Sequence, residues 1–152
     1  MAKSSKLVAL KRGKVLLVRR KIDGLWMFPG GRKRGGETEK ECLRREIKEE
    51  LPSLRLGRVR LWKKVTARNP RSGRKMSDAI LVVRKTTGAL KIGDKDEIVK
   101  AVWTKPKGLK LTPTSRYIVD SLFSGKARKK ESARSFRDAR SATASQKIPF
   151  DF

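Results

Sequence analysis

The strongest constraint on the fold is a glycine-rich loop that leads directly into a helix with defined ends. Four glycines lie between residues 30 and 36, and the basic residues among them follow no strand or helix pattern. Thr38 and Glu41 then have the spacing of a capping box, and Pro52 limits the helix at its other end. We therefore predict a helix from Thr38 to Leu51 that is entered through this loop.

Three carboxylates on this helix repel one another. Glu46, Glu49 and Glu50 stand at positions i, i+3 and i+4, which places all three on one strip of the helix surface. Like charges at this spacing destabilise a helix by roughly a few tenths of a kcal/mol. Two ways of neutralising them stay open: salt bridges from Arg45, which can reach Glu41 and Glu49, or a bound divalent cation. Oxygen ligands without imidazole or thiolate suit Mg²⁺ or Mn²⁺.

Apolar residues elsewhere are grouped in segments of strand or helix length. We predict a β-hairpin and three further strands, at residues 6–10 with 15–18, 54–65, 76–86 and 98–104. Thr112 and Pro113 begin a second helix, which we expect to pack on the sheet and to end at Gly125. These segments form a single predicted domain.

The chain is strongly basic. It has 41 Lys and Arg against 15 Asp and Glu, a formal net charge of +26. The predicted domain, residues 1–125, holds 33 basic and 12 acidic side chains, so the charge is not confined to the basic tail at 126–152, which we expect to be flexible. A basic body favours anionic partners such as nucleotides, nucleic acid or phosphates, although a basic solvated surface would give the same composition.

Residues that are missing or rare exclude several classes of site. The chain has no His, which excludes Ser-His-Asp, Cys-His and histidine-zinc chemistry. Cys42 is the only cysteine, so it cannot form an internal disulfide, and we interpret it as a small buried residue. No apolar run is long enough for a membrane span, and no signal-peptide core follows Met1. We therefore expect a cytoplasmic protein without a membrane partner, of unknown oligomeric state.

The loop and the helix together resemble the signature of the Nudix hydrolases. The matching pattern is Gly31-x5-Glu37-x7-Arg45-Glu46-x2-Glu49-Glu50. It is preceded by Trp26-x-Phe28-Pro29-Gly30-Gly31, which is also typical of that family. The resemblance covers about residues 5–124 and implies an α+β fold, an α/β/α sandwich in which a mixed sheet lies between helices.

The resemblance also implies an activity. Nudix hydrolases cleave the pyrophosphate bond of a nucleoside diphosphate linked to another moiety, with Mg²⁺ or Mn²⁺ as cofactor. The implied metal ligands are three carboxylates and one backbone carbonyl, those of Glu46, Glu49, Glu50 and Gly31. Arg45 would orient the glutamates through salt bridges, and Glu37 would brace the loop. Because a divalent ion can activate water near neutral pH, the missing His is no objection.

Three residues outside the signature are candidates for catalysis or substrate binding. Glu97 lies in the loop before the last predicted strand, where some family members have a general base, and a solvated acidic turn is the alternative. Arg20 could hold a phosphate or be a plain surface residue. Trp26 could stack on a base or close the core, and for Phe28 we favour the core.

The end of the helix departs from the family pattern. The family has Gly where this chain has Pro52, and then an aliphatic residue where it has Ser53. Pro cannot adopt the positive φ that Gly allows at a helix end. We therefore expect a different exit from the helix. The placement of Glu50 depends on that exit more than the placement of Glu46 does.

The sequence does not identify the substrate. The net charge favours nucleoside polyphosphates or RNA 5′ ends over conjugates with an uncharged tail. If RNA is bound, the first expected contacts are the basic residues of the loop at 68–75, namely Arg68, Arg71, Arg74 and Lys75. The alternative to an enzyme is a non-catalytic protein that keeps the fold and binds a nucleotide or RNA.

Overall fold

The computed structural model describes residues 3–68 and 72–131, which form nine strands and two helices. In chain order these are β1 (Ser4–Lys11), β2 (Lys14–Arg20), β3 (Trp26–Met27), β4 (Gly30–Arg32), α1 (Glu39–Glu50), β5 (Arg55–Leu56), β6 (Val59–Arg68), β7 (Lys75–Val83), β8 (Thr86–Thr87), β9 (Ile98–Thr104) and α2 (Pro113–Glu131). Neither described helix has both the length and the apolar character that a membrane span requires.

Seven of the strands form one mixed sheet with β1 near its centre. The strand order is β3-β2-β1-β7-β6, and in addition β4 pairs with β1 and β9 pairs with β2. β1 and β7 are parallel, with Ser4 opposite Asp78, whereas the other pairs of this sheet are antiparallel. β5 and β8 form a separate two-stranded ribbon. β6 is therefore left at one edge of the main sheet.

The two helices cover opposite faces of this sheet. Successive residues of a strand point to opposite faces, and β1 shows this directly. Leu7 packs in one apolar cluster with Leu43 and Ile47 of α1, whereas its neighbour Val8 packs in another with Ile118 of α2. All five side chains are buried. The predicted α/β/α sandwich, with a mixed sheet between helices, is confirmed.

Several predicted elements coincide with observed ones. The predicted hairpin is formed by β1 and β2, which are slightly longer than expected. The predicted strand at 98–104 is β9. The predicted helix is α1, with Thr38 and Leu51 as its two caps.

The predicted long strands at 54–65 and 76–86 are each divided in two. The first breaks between β5 and β6, and the second between β7 and β8. At the first break the Gly57 N–H donates to the Lys85 carbonyl at 2.7 Å, and a Cβ on Gly57 would lie 2.8 Å from the same oxygen. Because the two segments cross closely at Gly57 and Lys85, the β5–β8 ribbon can leave the main sheet.

The second helix does not end at Gly125 as predicted. It begins at Pro113, as expected, but continues to Glu131. Lys, Ala and Arg follow Gly125, and their helix propensity offsets the cost of about 1 kcal/mol for one internal glycine. The predicted boundary between domain and tail therefore falls inside α2. The remainder of the predicted flexible tail, 132–152, lies outside the described residues.

Candidate active site

The start of α1 is held by the predicted capping box. The Glu41 N–H donates to Thr38 Oγ1 at 3.1 Å, and the Thr38 N–H donates back to the Glu41 carboxylate, also at 3.1 Å. These bonds satisfy two backbone N–H groups that have no partner inside the helix. The box thereby fixes α1 relative to the glycine-rich loop before it.

Arg45 connects that loop to the carboxylates of α1. Its guanidinium donates to Glu37 Oε2 at 2.7 Å, to Glu46 Oε1 at 2.9 Å and to the Arg32 carbonyl at 2.8 Å. Glu49 Oε1 lies 3.5 Å from the same guanidinium. One side chain thus contacts two of the three candidate ligands and the loop that precedes them.

Glu37 is the second anchor of the loop. Its Oε1 accepts the Arg34 N–H at 2.6 Å, and Arg45 donates to both of its carboxylate oxygens. These hydrogen bonds, that from Arg45 foremost, lower the pKa of Glu37 to about 2. The same contact raises the pKa of Arg45 above its already high value. Glu41, the other possible partner of Arg45, is engaged in the capping box instead.

Two glycines let β4 lie directly against its neighbours. Gly30 has a φ of +143°, and a Cβ there would collide with the carbonyl oxygen of Ser5 in β1. A Cβ on Gly31 would collide with the carboxylate of Glu46. The Gly31 carbonyl faces α1 as well, since it accepts a hydrogen bond from the Cys42 thiol at 3.4 Å. The Gly31 carbonyl and the Glu46 carboxylate therefore lie at one junction of loop and helix.

Glu50 differs from the two other carboxylates of the predicted strip. It is only 2% exposed, whereas the side chain of Glu49 is 45% exposed. The expectation that all three lie on the helix surface is therefore wrong for Glu50, because β1 and β4 pack against α1 and cover it. Its Oε2 is buried and has no hydrogen-bond partner among the described residues.

Burial raises the pKa of Glu50 to about 8. The charge of Lys6 and a hydrogen bond from the Gly30 backbone act in the opposite direction, whereas the charges of Glu46 and Glu97 raise the pKa further. A buried carboxyl with an unused oxygen beside a second carboxylate needs a cation to be stable in its charged form.

The end of α1 is closed by a residue from a distant loop. Leu51, the C-cap, has φ −135° and ψ 71°, so the helix ends without the left-handed residue that a Gly would supply. The Gly93 N–H donates to the Glu50 carbonyl at 2.8 Å instead. A Cβ on Gly93 would collide with the Glu49 carbonyl and lie 2.8 Å from Cδ of Pro52. This is the different exit that Pro52 led us to expect.

The candidate ligands do not form a preassembled metal cluster. Within residues 3–68 and 72–131, no three acidic or cysteine side chains are close enough together to hold a metal ion. Arg45 contacts Glu46 and Glu49, and Glu50 stands apart in its buried position. The donor set nevertheless fits a hard divalent cation, because it consists of oxygen atoms and includes a buried one without a partner.

Glu97 and Arg20 lie at one end of the β2–β9 pair. Arg20 is opposite Ile98 in the register, and the Glu97 carbonyl accepts the N–H of the residue after Arg20 at 2.8 Å. The Glu97 side chain is exposed, and its charge reaches Glu50. Arg20 forms an ion pair with Asp23 at 3.0 Å, which anchors it at the turn after β2.

Trp26 and Phe28 belong to the apolar cluster on the α2 side of the sheet. Phe28 is fully buried, as favoured from the sequence, and Trp26 is partly buried against the same cluster. The main chain of Trp26 is hydrogen-bonded to Lys110 and Thr112 at 2.8 and 3.0 Å. Trp26 therefore ties β3 to the segment before α2 while part of it stays accessible. Cys42 is fully buried, as expected.

A second buried carboxyl was missed in the sequence. Asp78 is 1% exposed; its Oδ2 accepts a hydrogen bond from Thr114 at 3.4 Å, and its Oδ1 has no partner within residues 3–68 and 72–131. Burial raises its pKa, and Lys6 opposes this shift as it does for Glu50. One sequence signal could have revealed it, because Asp78 is the only charged residue between positions 76 and 83.

Comparisons with known proteins bear on the family. A model of the Nudix domain matches residues 5–122. No match was found among curated proteins.

Solved structures share the fold at low sequence identity. A MutT Nudix hydrolase from Burkholderia pseudomallei is 23% identical, with a TM-score of 0.70 over 79% of this chain and 97% of that chain. The E. coli ORF135 protein is 23% identical, with a TM-score of 0.67 over 85% and 93% of the respective chains. A UDP-X diphosphatase is 17% identical, with a TM-score of 0.62 over 83% and 64%. Fold and family together support a pyrophosphohydrolase, and the chain belongs to the Nudix hydrolase family.

Proposed function

We propose that this protein hydrolyses the pyrophosphate bond of a nucleoside diphosphate linked to another moiety, with a nucleoside polyphosphate as the favoured substrate. The position of Glu50 carries the proposal. Arg45 contacts Glu46 and Glu49, but one buried oxygen of Glu50 has no hydrogen-bond partner in the part of the chain that the structure describes. Such an oxygen costs stability and contributes nothing to the fold. We therefore assign Glu50 to the reaction.

The proposed ligands of Mg²⁺ or Mn²⁺ are Glu46, Glu49, Glu50 and the carbonyl of Gly31. All four donors are oxygen atoms, which suit these ions. When bound, the cation would neutralise charge on the diphosphate and lower the pKa of a water molecule, so that the water loses a proton near neutral pH and becomes a nucleophile. Arg45 would act through the carboxylates that it positions, because it contacts Glu46, Glu49 and the loop at the same time.

Three residues would serve the substrate and the attacking water. Glu97 is the proposed general base, since its exposed carboxylate is near enough to influence Glu50 and could accept a proton. Arg20 would exchange its ion pair with Asp23 for a phosphate. The accessible part of Trp26 would stack on the base.

The substrate preference rests on charge. One relative of the same fold is, by its title, a UDP-X diphosphatase, so the fold alone does not select a substrate. Residues 1–125 hold 33 basic and 12 acidic side chains, and a basic body raises the local concentration of polyphosphates. A cytoplasmic location is part of the same proposal.

A release assay for phosphate and mononucleotides across substrate classes tests the proposal. Nucleoside triphosphates, nucleotide sugars, dinucleoside polyphosphates, ADP-ribose and RNA with a 5′-triphosphate are each incubated with the protein in Mg²⁺, Mn²⁺ or EDTA. We expect metal-dependent turnover that is fastest with a nucleoside polyphosphate. No turnover in any class would instead favour a non-catalytic protein that binds a nucleotide or RNA. Faster turnover of ADP-ribose would contradict the argument from charge.

A further inference from the structure

One edge of the sheet is cationic without acidic neighbours in sequence. Between residues 51 and 77 the chain has nine Lys and Arg and no Asp or Glu. Asp78, the next acidic residue, is buried. Most of these cations lie on or beside β6 and at the start of β7, in residues 58–68 and 72–75, which we call the cationic edge. β6 is the terminal strand in the sheet order, and no other strand of the described residues pairs with its outer side.

The contacts of this edge leave its charge largely available. Lys64 lies 3.8 Å from Glu39, and it is still about half exposed. The Arg68 guanidinium donates to the Gly73 carbonyl at 3.0 Å, which uses a donor but neutralises no charge. Arg60 is exposed on the same strand. Exposed cations in such a row can replace the counterions of a phosphate backbone.

Two aromatic rings lie beside these cations. Lys63 Nζ is 4.8 Å from the centroid of the Trp62 ring and 5.4 Å from that of the Tyr117 ring on α2. Tyr117 is 47% exposed, so part of its side chain can be available to a ligand. A cation held over rings combines a phosphate contact with a stacking surface in one place.

The sheet register puts these groups on one face. Arg60 lies opposite Val82, and Lys63 lies opposite Ile80. Val82 and Ile80 both pack in the apolar cluster on the α2 side. Paired residues of antiparallel strands share a face, so Arg60 and Lys63 point to the side of the sheet on which Tyr117 lies.

We propose that the cationic edge, together with Tyr117, binds a single-stranded nucleic acid. Arg60 and Lys63 contact phosphates, and the rings of Tyr117 and Trp62 stack on bases. Stacking requires bases that are not already paired and stacked, which favours a single strand over a duplex. The ten residues of β6 span about 33 Å, which accommodates several nucleotides. This binding does not depend on hydrolysis, so it stands apart from the proposed function.

The charge component is tested by anisotropy with a labelled oligouridylate of about 12 nucleotides, in EDTA so that metal-dependent hydrolysis does not interfere. The double variant Arg60→Gln, Lys63→Gln removes the two charges that lie on the face of the rings. The control Lys14→Gln, Lys107→Gln removes two exposed charges elsewhere. We expect the edge variant to lose at least about tenfold in affinity and its log–log salt slope to fall by about 1.4. The control should retain most of both.

The stacking component is tested at Tyr117. We expect Tyr117→Leu to weaken oligouridylate binding about fivefold and Tyr117→Phe to bind like the wild type. Heparin, a polyanion without bases, should bind both variants equally. Circular dichroism of each variant establishes that it is folded.

Two results would overturn the proposal. One is equal weakening by the edge variant and its charge-matched control, which would reduce the effect to net charge. The other is wild-type affinity of Tyr117→Leu for the oligouridylate. It would show that the ring does not stack on a base and that the cationic edge binds polyanions in general. Neither result bears on turnover of small nucleotides, which is measured separately in Mg²⁺.

Discussion

The carboxylate helix α1 and the cationic edge carry opposite charges and hold them in opposite ways. Near α1, Glu37, Glu46 and Glu49 all contact the guanidinium of Arg45, at distances from 2.7 to 3.5 Å. In the segment 51–77, which contains the cationic edge, nine basic residues occur without an acidic one. The charges of α1 are thus fixed by contacts, whereas those of the edge act through the field that they create together.

This difference fits the two tasks that we propose. Chemistry on a pyrophosphate bond needs oxygen atoms at defined positions, so each proposed metal ligand of α1 would have its own role. Attraction of a polyanion needs charge density, to which each cation adds a similar share. A substitution near α1 should therefore have a large and local effect, and one on the edge a small effect that depends on salt.

The largest effect is expected for Glu50→Gln. This change keeps the shape of the side chain but removes its charge, so turnover in Mg²⁺ should fall roughly a thousandfold while the protein stays folded. Glu41→Gln is the matched control, because Gln also serves at this position of a capping box. The measurement is kcat on the best substrate of the release assay. Nearly unchanged turnover of Glu50→Gln would remove this residue from the proposed ligands.

The next effect concerns the stability of the metal-free protein. The pKa of Glu50 is about 8 in the folded state, above its ordinary value of 4.5, so the folded state holds this proton more tightly. The stabilisation that this tighter proton binding gives to the folded state is complete below about pH 4.5 and is lost as the pH rises to about 8. Denaturant unfolding in EDTA should show this loss, as several kcal/mol, in the wild type but not in Glu50→Gln. The same pH dependence in both proteins would contradict a buried, uncompensated carboxyl.

A smaller effect is expected where the β8–β9 loop meets the end of α1. Gly93→Ala places a methyl group against the Glu49 carbonyl and Pro52, which should cost about 1–3 kcal/mol and lower kcat by shifting the helix end. Gly35→Ala is the control, since nothing lies within 4 Å of a Cβ there. Unfolding midpoints and kcat are measured for both. Equal behaviour of the two variants would show that the contact at Gly93 does not hold α1.

The smallest effect on stability is expected on the cationic edge. Arg60→Gln with Arg68→Gln should change the free energy of unfolding by less than about 0.5 kcal/mol, because exposed charges contribute little to stability. Any change should be a stabilisation at low salt that disappears at high salt, since like charges are being removed. A large destabilisation would mean that these two residues stabilise the fold through specific contacts. It would contradict the proposed difference between the cationic edge and α1.

Local patterns in the sequence predicted α1 almost to the residue. Thr38 and Glu41 interact across one turn, and Pro52 acts on the residue just before it, so none of these effects needs the rest of the fold. The hairpin of β1 and β2 and the strand β9 follow from equally local apolar patterns. The prediction at Gly125 was wrong, because one glycine costs a helix too little to end it.

The sequence by itself determined where both helices begin, the hairpin of β1 and β2, the strand β9, the spacing of the carboxylates and the family signature, since these depend on residues a few positions apart. It did not determine β4 (Gly30–Arg32), which lies in the segment predicted as a loop and pairs with the distant β1. Only the tertiary structure decided that Glu50 is buried, that Gly93 closes α1 and that Asp78 is a second buried carboxyl. Gly93 reaches α1 from more than 40 positions along the chain. Burial and the pKa of a carboxyl depend on what packs around it, and strands from distant parts of the chain supply those neighbours.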